Sequence, residues 1–261
     1  MIKGIYTAAT GMVAQQQNID VIANNIANVN TTAFKKDRAE FQDLMYQTLN
    51  YTASATSKDT QNPTGIDVGS GVVISGVQKD HMQGSFITTG NELDVSVQGK
   101  GFFKIIMPNG ESSYSRNGAF KINSDGSLVN AQGFKLDPEI AVPSGITKIS
   151  ITADGVVKGV KQDGSEESLG ELKLSTFINN AGLEPMGDSL YKVTVASGDA
   201  IEGTPGSDGV GSLRQGTLES SNVQLVTEMV NLITAQRGYE ANSKAITTTD
   251  TMLQTVNQLK R

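Results

Sequence analysis

Ile5, Met12, Ile19 and Ile26 stand seven residues apart, and Ala8, Gln15, Ile22 and Val29 each follow three residues later. That a/d spacing lays an apolar stripe along one side of a helix over about residues 3–29. The other end of the chain repeats it. Leu225, Leu232, Tyr239, Ile246 and Leu253 are again seven apart, with Ala235, Asn242, Thr249 and Val256 at most of the matching d positions. Two helices at opposite ends of the sequence therefore share one period, and each offers a stripe that fits a helical partner.

The same period suits two ordinary amphipathic helices laid on a globular core. The other faces of the first helix weigh against that. Between residues 1 and 30 the only charged side chains are Lys3 and Asp20, while Gln15, Gln16, Gln17, Asn18, Asn24, Asn25 and Asn28 occupy the remaining positions. A solvated face usually carries charge, so a polar but nearly uncharged one suits a helix with protein on several sides. Gly4, Gly11, Ala8, Ala9 and Ala14 leave room for another helix to approach closely. A half-buried stripe residue returns roughly 2 kcal/mol, and a stripe of eight falls short of the ~1.5 kcal/mol lost for every residue ordered. Both ends are expected to fray in a free monomer and to order in an assembly.

Composition closes several other routes. The chain of 261 residues has no cysteine, which excludes disulfides, iron–sulfur clusters and thiol chemistry. A net charge of −6 without a basic cluster argues against nucleic acid as a partner. No apolar run approaches the roughly 20 residues of a membrane span, so the chain is not expected to be membrane-embedded. Gln and Asn interrupt the N-terminal stripe where a signal peptide needs a continuous apolar stretch, so any export is expected to leave the N-terminus uncleaved.

Asn28, Asn30, Thr31 and Thr32 compete for backbone hydrogen bonds and end the first helix. Residues 34–49 add charge to a hydrophobic thread of Phe34, Phe41, Leu44 and Met45, and read as an ordered connector with some helical character. Residues 50–67, rich in Thr, Ser and Asn with Pro63 and Gly65, read as a surface excursion or an extended hairpin. Beyond Gly69 the pattern changes to short apolar or alternating runs at 72–77, 93–97, 102–107, 112–116, 120–122, 149–152, 156–160, 172–177, 191–195 and 213–218. Asn109-Gly110, Asn117-Gly118, Asp125-Gly126, Asp154-Gly155 and Asp163-Gly164 punctuate them as tight turns. Ser221 with Gln224 three residues on reads as a capping box opening the second helix, which can run nearly to Lys260. Gly238 within it suggests a close helix contact.

The expected fold is α+β: long N- and C-terminal helices paired as a coiled-coil-like layer, with an all-β middle domain of antiparallel strands. Residues 1–30 and 222–261 would form a terminal helical polymerisation domain, 31–68 a connector, and 69–221 a β-rich outer domain.

Candidates for chemistry are weak. His81 is the sole histidine and sits in Lys79-Asp80-His81-Met82, a strand-end context rather than a triad. One imidazole and no thiolate make a poor metal site, and the Asp-Gly pairs lack the alternating oxygens of a calcium loop. Gly99-Lys100-Gly101 resembles a fragment of a phosphate loop, but no helix pattern follows it, which favours a strand-entry turn. Glu166-Glu167 reads as solvated. No catalytic, cofactor-binding or metal-binding residue is assigned, and the chain is not expected to be an enzyme.

A set of longer motifs is more specific. Tyr6-Thr7-Ala8-Ala9-Thr10-Gly11-Met12, the run Asn24-Asn25-Ile26-Ala27-Asn28-Val29-Asn30-Thr31-Thr32 before Phe34-Lys35, and Arg38-Ala39-Glu40-Phe41-Gln42-Asp43-Leu44 resemble the bacterial flagellar rod and hook family. So do residues 99–103, Tyr114-Ser115-Arg116-Asn117-Gly118, Leu218-Glu219-Ser220-Ser221-Asn222-Val223 and Ala235-Gln236-Arg237-Gly238-Tyr239-Glu240-Ala241-Asn242. Ala33 departs from the pattern, which often has Gly there.

The resemblance spans the chain. It implies a helical homopolymer whose inner layer is the paired terminal helices, packed through Ile5, Ala8, Met12, Ile19, Ile22, Ile26, Val29, Leu225, Leu232, Tyr239, Ile246, Leu253 and Val256. The connector, with Phe34, Phe41, Leu44 and Tyr46, resembles a stiffening insertion of the distal-rod members. It further implies a basal-body rod crossing the periplasm and transmitting torque to the hook, with proximal-rod proteins, hook protein, the P- and L-ring bushing and the flagellar type III export apparatus as partners. A proximal-rod or hook-type member of the same family, or an exported β-domain binding protein whose helices only dimerise, are the alternatives.

Overall fold

The first and last long periodic segments are both helical. In the computed structural model, which describes residues 2–50, 55–57, 60–61, 65–207 and 209–259, they form α1 (Ile2–Ala27) and α2 (Leu225–Leu259). The chain divides into two units. The first comprises Met1–Ala27, Asp37–Lys79 and Gln224–Arg261, and the second Asn28–Lys36 and Asp80–Val223.

In the first unit α1 and α2 run side by side and antiparallel. A Cβ on Gly11 would lie 2.7 Å from Asn242 Nδ2, and one on Gly238 would lie 3.4 Å from Gln15 Cδ, so one index falls as the other rises. Small residues at both crossing points allow that approach. Beside the helices lies a two-stranded ribbon, Asp37–Asp43 against Val72–Lys79, with Asp37 opposite Lys79, Asp43 opposite Val72 and a bulge between Glu40 and Phe41. It continues as Tyr46–Asn50 against Ile66–Gly69 and as Ala55–Ser57 against Thr60–Gln61.

The described connector residues are therefore antiparallel strand pairs, and the helical character expected for residues 34–49 is absent. Spacing of Phe41, Leu44 and Met45 suggests a helix only locally. The β-branched run Val72, Val73 and Ile74 supplies a pairing strand that overrides it. Of the expected excursion at 50–67, residues 51–54, 58–59 and 62–64 lie outside the described residues.

Two helix boundaries differ from expectation. α1 stops at Ala27 because Thr31 N–H donates to the Asn28 carbonyl at 3.2 Å and Thr31 Oγ1 bonds Asn28 Oδ1 at 3.1 Å. α2 opens at Leu225, not beside Ser221. The Ser221 hydroxyl accepts from Val223 N–H at 3.3 Å in a turn, and the Gln224 carbonyl takes the first helical bond, from Glu228 N–H at 3.0 Å.

The second unit is built from antiparallel pairings. Its largest sheet runs Lys121–Ile122, Leu128–Val129, Lys135–Asp137, Phe102–Ile106, Ser112–Ser115, Leu190–Lys192, Glu184–Gly187, with Leu174–Thr176 joining Phe102–Ile106 to Ile201–Gly203. Ile146–Ile151, Val156–Lys161 and Glu166–Glu171 form a three-stranded sheet. Phe102 and Phe103 point to opposite faces, as the period of two requires. Phe103 joins Val95, Ile105, Phe120, Ile140 and Leu174 in the main core, while Phe102 joins Tyr114, Phe177, Leu183 and Tyr191 in a smaller one.

Four of the five expected turn glycines, 110, 126, 155 and 164, have φ between 79° and 88°. Gly118 serves differently: a Cβ there would lie 1.6 Å from Val95 O, so glycine permits a backbone approach. Gly216, at φ 70°, splits the expected strand at 213–218 into Ser212–Gln215, which pairs Val95–Gln98, and Thr217–Glu219, which pairs Phe86–Thr88.

Candidate assembly surface

The heptad stripe is turned mostly into the first unit's own packing. On α1, Ala8 and Ile22 are buried, and Ile5, Met12, Ile19 and Ile26 are half-buried; Val29, beyond the helix end, is half-buried in the second unit. On α2, Leu232, Ile246 and Leu253 are half-buried and Ala235 is buried, whereas Leu225, Tyr239 and Val256 are exposed. Among the connector residues Phe34 and Leu44 are half-buried, Leu44 N–H donating to Gly71 O at 2.9 Å, and Phe41 and Tyr46 are exposed.

The uncharged polar face of α1 meets the ribbon. Asn25, 1% exposed, donates from Nδ2 to Asp37 O at 2.8 Å and accepts from Asp37 N–H on Oδ1 at 2.8 Å. Asn24 Nδ2 and Lys79 Nζ reach the Asp37 carboxylate at 3.3 and 2.8 Å. A neutral amide can satisfy a buried backbone donor and acceptor at once without the desolvation cost of an ion. Part of the protein expected around this helix thus comes from its own chain.

A second apolar face of α2 remains open. Val226, Met229, Val230 and Ile233 each keep half or more of their surface exposed, and their spacing places them on one side of the helix. Tyr6 and Val13 of α1 are also exposed. A contiguous apolar helix face of this kind marks an interaction surface. Sequence reasoning missed it because attention to the seven-residue repeat leaves 226, 229, 230 and 233 off the stripe, although their own spacing of three, one and three was visible.

Inside the second unit a buried ion cluster pins the passages leading to and from the helices. Glu219 Oε1 accepts from Lys35 Nζ at 2.6 Å and Gly84 N–H at 2.9 Å, and Oε2 accepts from Arg116 Nε at 2.8 Å. Lys35 also donates to Met82 O at 2.8 Å, and Ala33 N–H donates to Glu219 O at 2.9 Å. Ala33 holds φ 58° in the left-handed region that its residue type disfavours. Asn222 completes the junction, accepting from Lys36 N–H at 2.8 Å and donating to Asp80 O at 2.8 Å.

Burial alone would raise the Glu219 carboxyl, but Arg116 and Lys35 outweigh it and hold it below the usual carboxylate range. For Lys35 burial wins over Glu219, and its ammonium loses its proton more easily than an exposed lysine. The cluster escaped sequence reasoning because Glu219 is 184 residues from Lys35 and 103 from Arg116. A signal existed, since each of the three lies in a separate motif of the family resemblance.

The other residues weighed for chemistry find structural places. His81 meets Phe102 edge-to-face and Tyr191 at a tilt, with ring centroids 5.8 and 5.7 Å apart. Gly99-Lys100-Gly101 is the turn between Val95–Gln98 and Phe102–Ile106, and it aims carbonyls at a cation instead of N–H groups at a phosphate: Arg116 Nη1 donates to Gly101 O at 2.7 Å and Nη2 to Gly99 O and Val97 O. Among the described residues no group of three acidic, His or Cys side chains is placed to hold a metal.

Three family models match the chain: one described as flagella basal body rod protein over residues 5–35, one as the flagellar hook protein FlgE/F/G D1 domain over 96–159, and one as the flagellar basal body rod FlgEFG protein C-terminal region over 214–259. The flagellar basal-body rod protein FlgG of Borreliella burgdorferi is 49% identical, with 100% of both chains covered. That of Caulobacter vibrioides is 46% identical, covering 99% of this chain and 100% of the relative. Similarity to the flagellar hook protein FlgE of Salmonella typhimurium is lower, 25% over 416 aligned residues covering 97% of this chain.

Proposed function

This chain belongs to the flagellar basal-body rod and hook family, and we propose from that premise that it polymerises with its own copies into a rigid hollow shaft. It is a structural subunit of the basal-body rod, of the distal-rod kind. The observation that carries the reading is an end-to-end match to FlgG rod proteins, 45–49% identity at 98–100% coverage of this chain in Borreliella, Caulobacter and Agrobacterium relatives.

The geometry supports polymerisation in a specific way. Within one chain α1 and α2 meet each other but leave most stripe residues only half-buried, and copies associate through the open face of Val226, Met229, Val230 and Ile233 together with the exposed stripe members Leu225, Tyr239 and Val256. The half-buried stripe residues complete their burial in the same layer. The ribbon and its continuation form the connector, whose stiffness comes from being held between neighbouring subunits. The shaft crosses the periplasm, contacts proximal-rod proteins at one end and hook protein at the other, turns inside the P- and L-ring bushing, and conducts subunits delivered by the type III export apparatus. Its work is mechanical and not catalytic.

Electron microscopy of concentrated full-length protein tests this. Straight tubes of uniform diameter are the expected result. Discrete dimers at every concentration would instead make the chain a β-domain binding protein with dimerising helices.

A further inference from the structure

The turn at Lys100 and the lone histidine meet in one cleft of the second unit with a volume of about 240 Å³. Its deepest walls are Lys35, Arg116 and Phe102, all nearly inaccessible, with the Arg116 guanidinium carbon 5.9 Å from the Phe102 ring centroid. His81, Lys100 and Asn180 line the rest, and Gln83 stands beside them, fixed by its bonds to Val97 O and from Gly99 N–H. Among the described residues no carboxylate lines the cleft.

Charge and donor counting point the same way. Lys35 and Arg116 share the one carboxylate of Glu219, so two cations face a single anion. The guanidinium has five N–H donors for four acceptors, and the Lys35 ammonium three for two. Each therefore retains a donor. Lys100 adds an exposed cation that forms no ion pair among the described residues. A concave site with surplus positive charge, two amide side chains and an aromatic wall matches a small planar anion on an apolar stem. A phosphate dianion matches it less well, because no stack of backbone N–H groups is offered.

We propose that this cleft binds a carboxylate group. The carboxylate is either a free small acid or an Asp or Glu side chain of a second copy; the site does not depend on the rod reading, but the second source does.

Titrating ¹⁵N-labelled full-length protein, kept below its assembly concentration, with glutarate tests the site directly. Saturable shifts of the Gln83, Gly99, Lys100 and Asn180 amides are expected. Lys100→Gln should weaken binding by about tenfold or more, the loss of one charge-assisted hydrogen bond, while Lys173→Gln, the same change of charge at an exposed position outside the cleft, should leave it unchanged. The proposal is overturned by an absence of saturable shifts, by equal losses in both variants, or by tighter binding of inorganic phosphate at the same amides. Amine acetylation then separates the sources: Lys100 protected in polymer but not in monomer assigns the carboxylate to a second copy, and equal reactivity assigns it to a free acid.

Discussion

Glu219→Gln isolates the buried cluster with little change of shape. The amide keeps an oxygen for Gly84 N–H but removes the charge between Lys35 and Arg116, whose side chains are 1% and 6% exposed around a fully buried carboxylate. Removing one partner of a buried pair leaves uncompensated charge and costs about 3–5 kcal/mol, against a total stability of about 5–15 kcal/mol for a folded domain. The cost should appear as a lower urea midpoint without a change in slope. Tyrosine fluorescence reports it, because the chain has no tryptophan and Tyr114 and Tyr191 are buried in the second unit.

Adding Lys35→Met removes one orphaned cation and should recover about half of the loss or more. The acid limb follows from the same group. Because the folded-state carboxyl lies below its unfolded value, its contribution is present above the usual carboxylate range and is lost as pH falls through the folded value. Glu219→Gln should flatten that part of the profile. A variant within 1 kcal/mol of the parent, or one not rescued by Lys35→Met, would refute the cluster as the anchor of these passages.

Three further outcomes are expected. Val230→Asp with Ile233→Asp changes exposed positions, so monomer stability should move by about 0.5 kcal/mol or less per site while tube formation in sedimentation is lost; wild-type assembly would remove the open face of α2 from the interface. Deleting residues 50–61 should leave association intact but shorten the persistence length of the tubes measured in micrographs, and unchanged straightness would contradict the connector's role. Gly238→Ala places a methyl 3.4 Å from the flexible Gln15 side chain, an ordinary contact, so the gain in helix propensity, about 1 kcal/mol, should raise the melting temperature of the helical signal; a drop would show a tighter crossing than these distances give.

The parts of the fold set by local repetition were legible. Heptad spacing located both helices, and Asn-Gly or Asp-Gly dipeptides located four turns with φ near 80°. Elements defined by a distant partner were not. The thread from Phe34 to Met45 looked partly helical because nothing local reveals that residues 72–79 return to pair with it. Phe86–Thr88 and Glu166–Glu171 carry too little apolar alternation to stand out, yet each pairs with a strand that supplies the burial. Gly216 was read as an interior strand residue, although only its positive φ lets one run serve two partners. The stripe residues were identified as an interaction face, and the structure directs most of them inward, because the first helix finds its nearest partner at the other end of its own chain.

Limited proteolysis before and after assembly addresses the central claim, that the terminal helices complete their folding by joining the polymer. Of the 35 residues of α2 only Glu228 and Ala235 are buried, so the helix has too little fixed packing to offset its ordering cost. Protease should trim both helices from the monomer to leave a β-rich core, and the same segments should resist once tubes have formed. A monomer whose first 30 residues survive as long as the core would contradict the account.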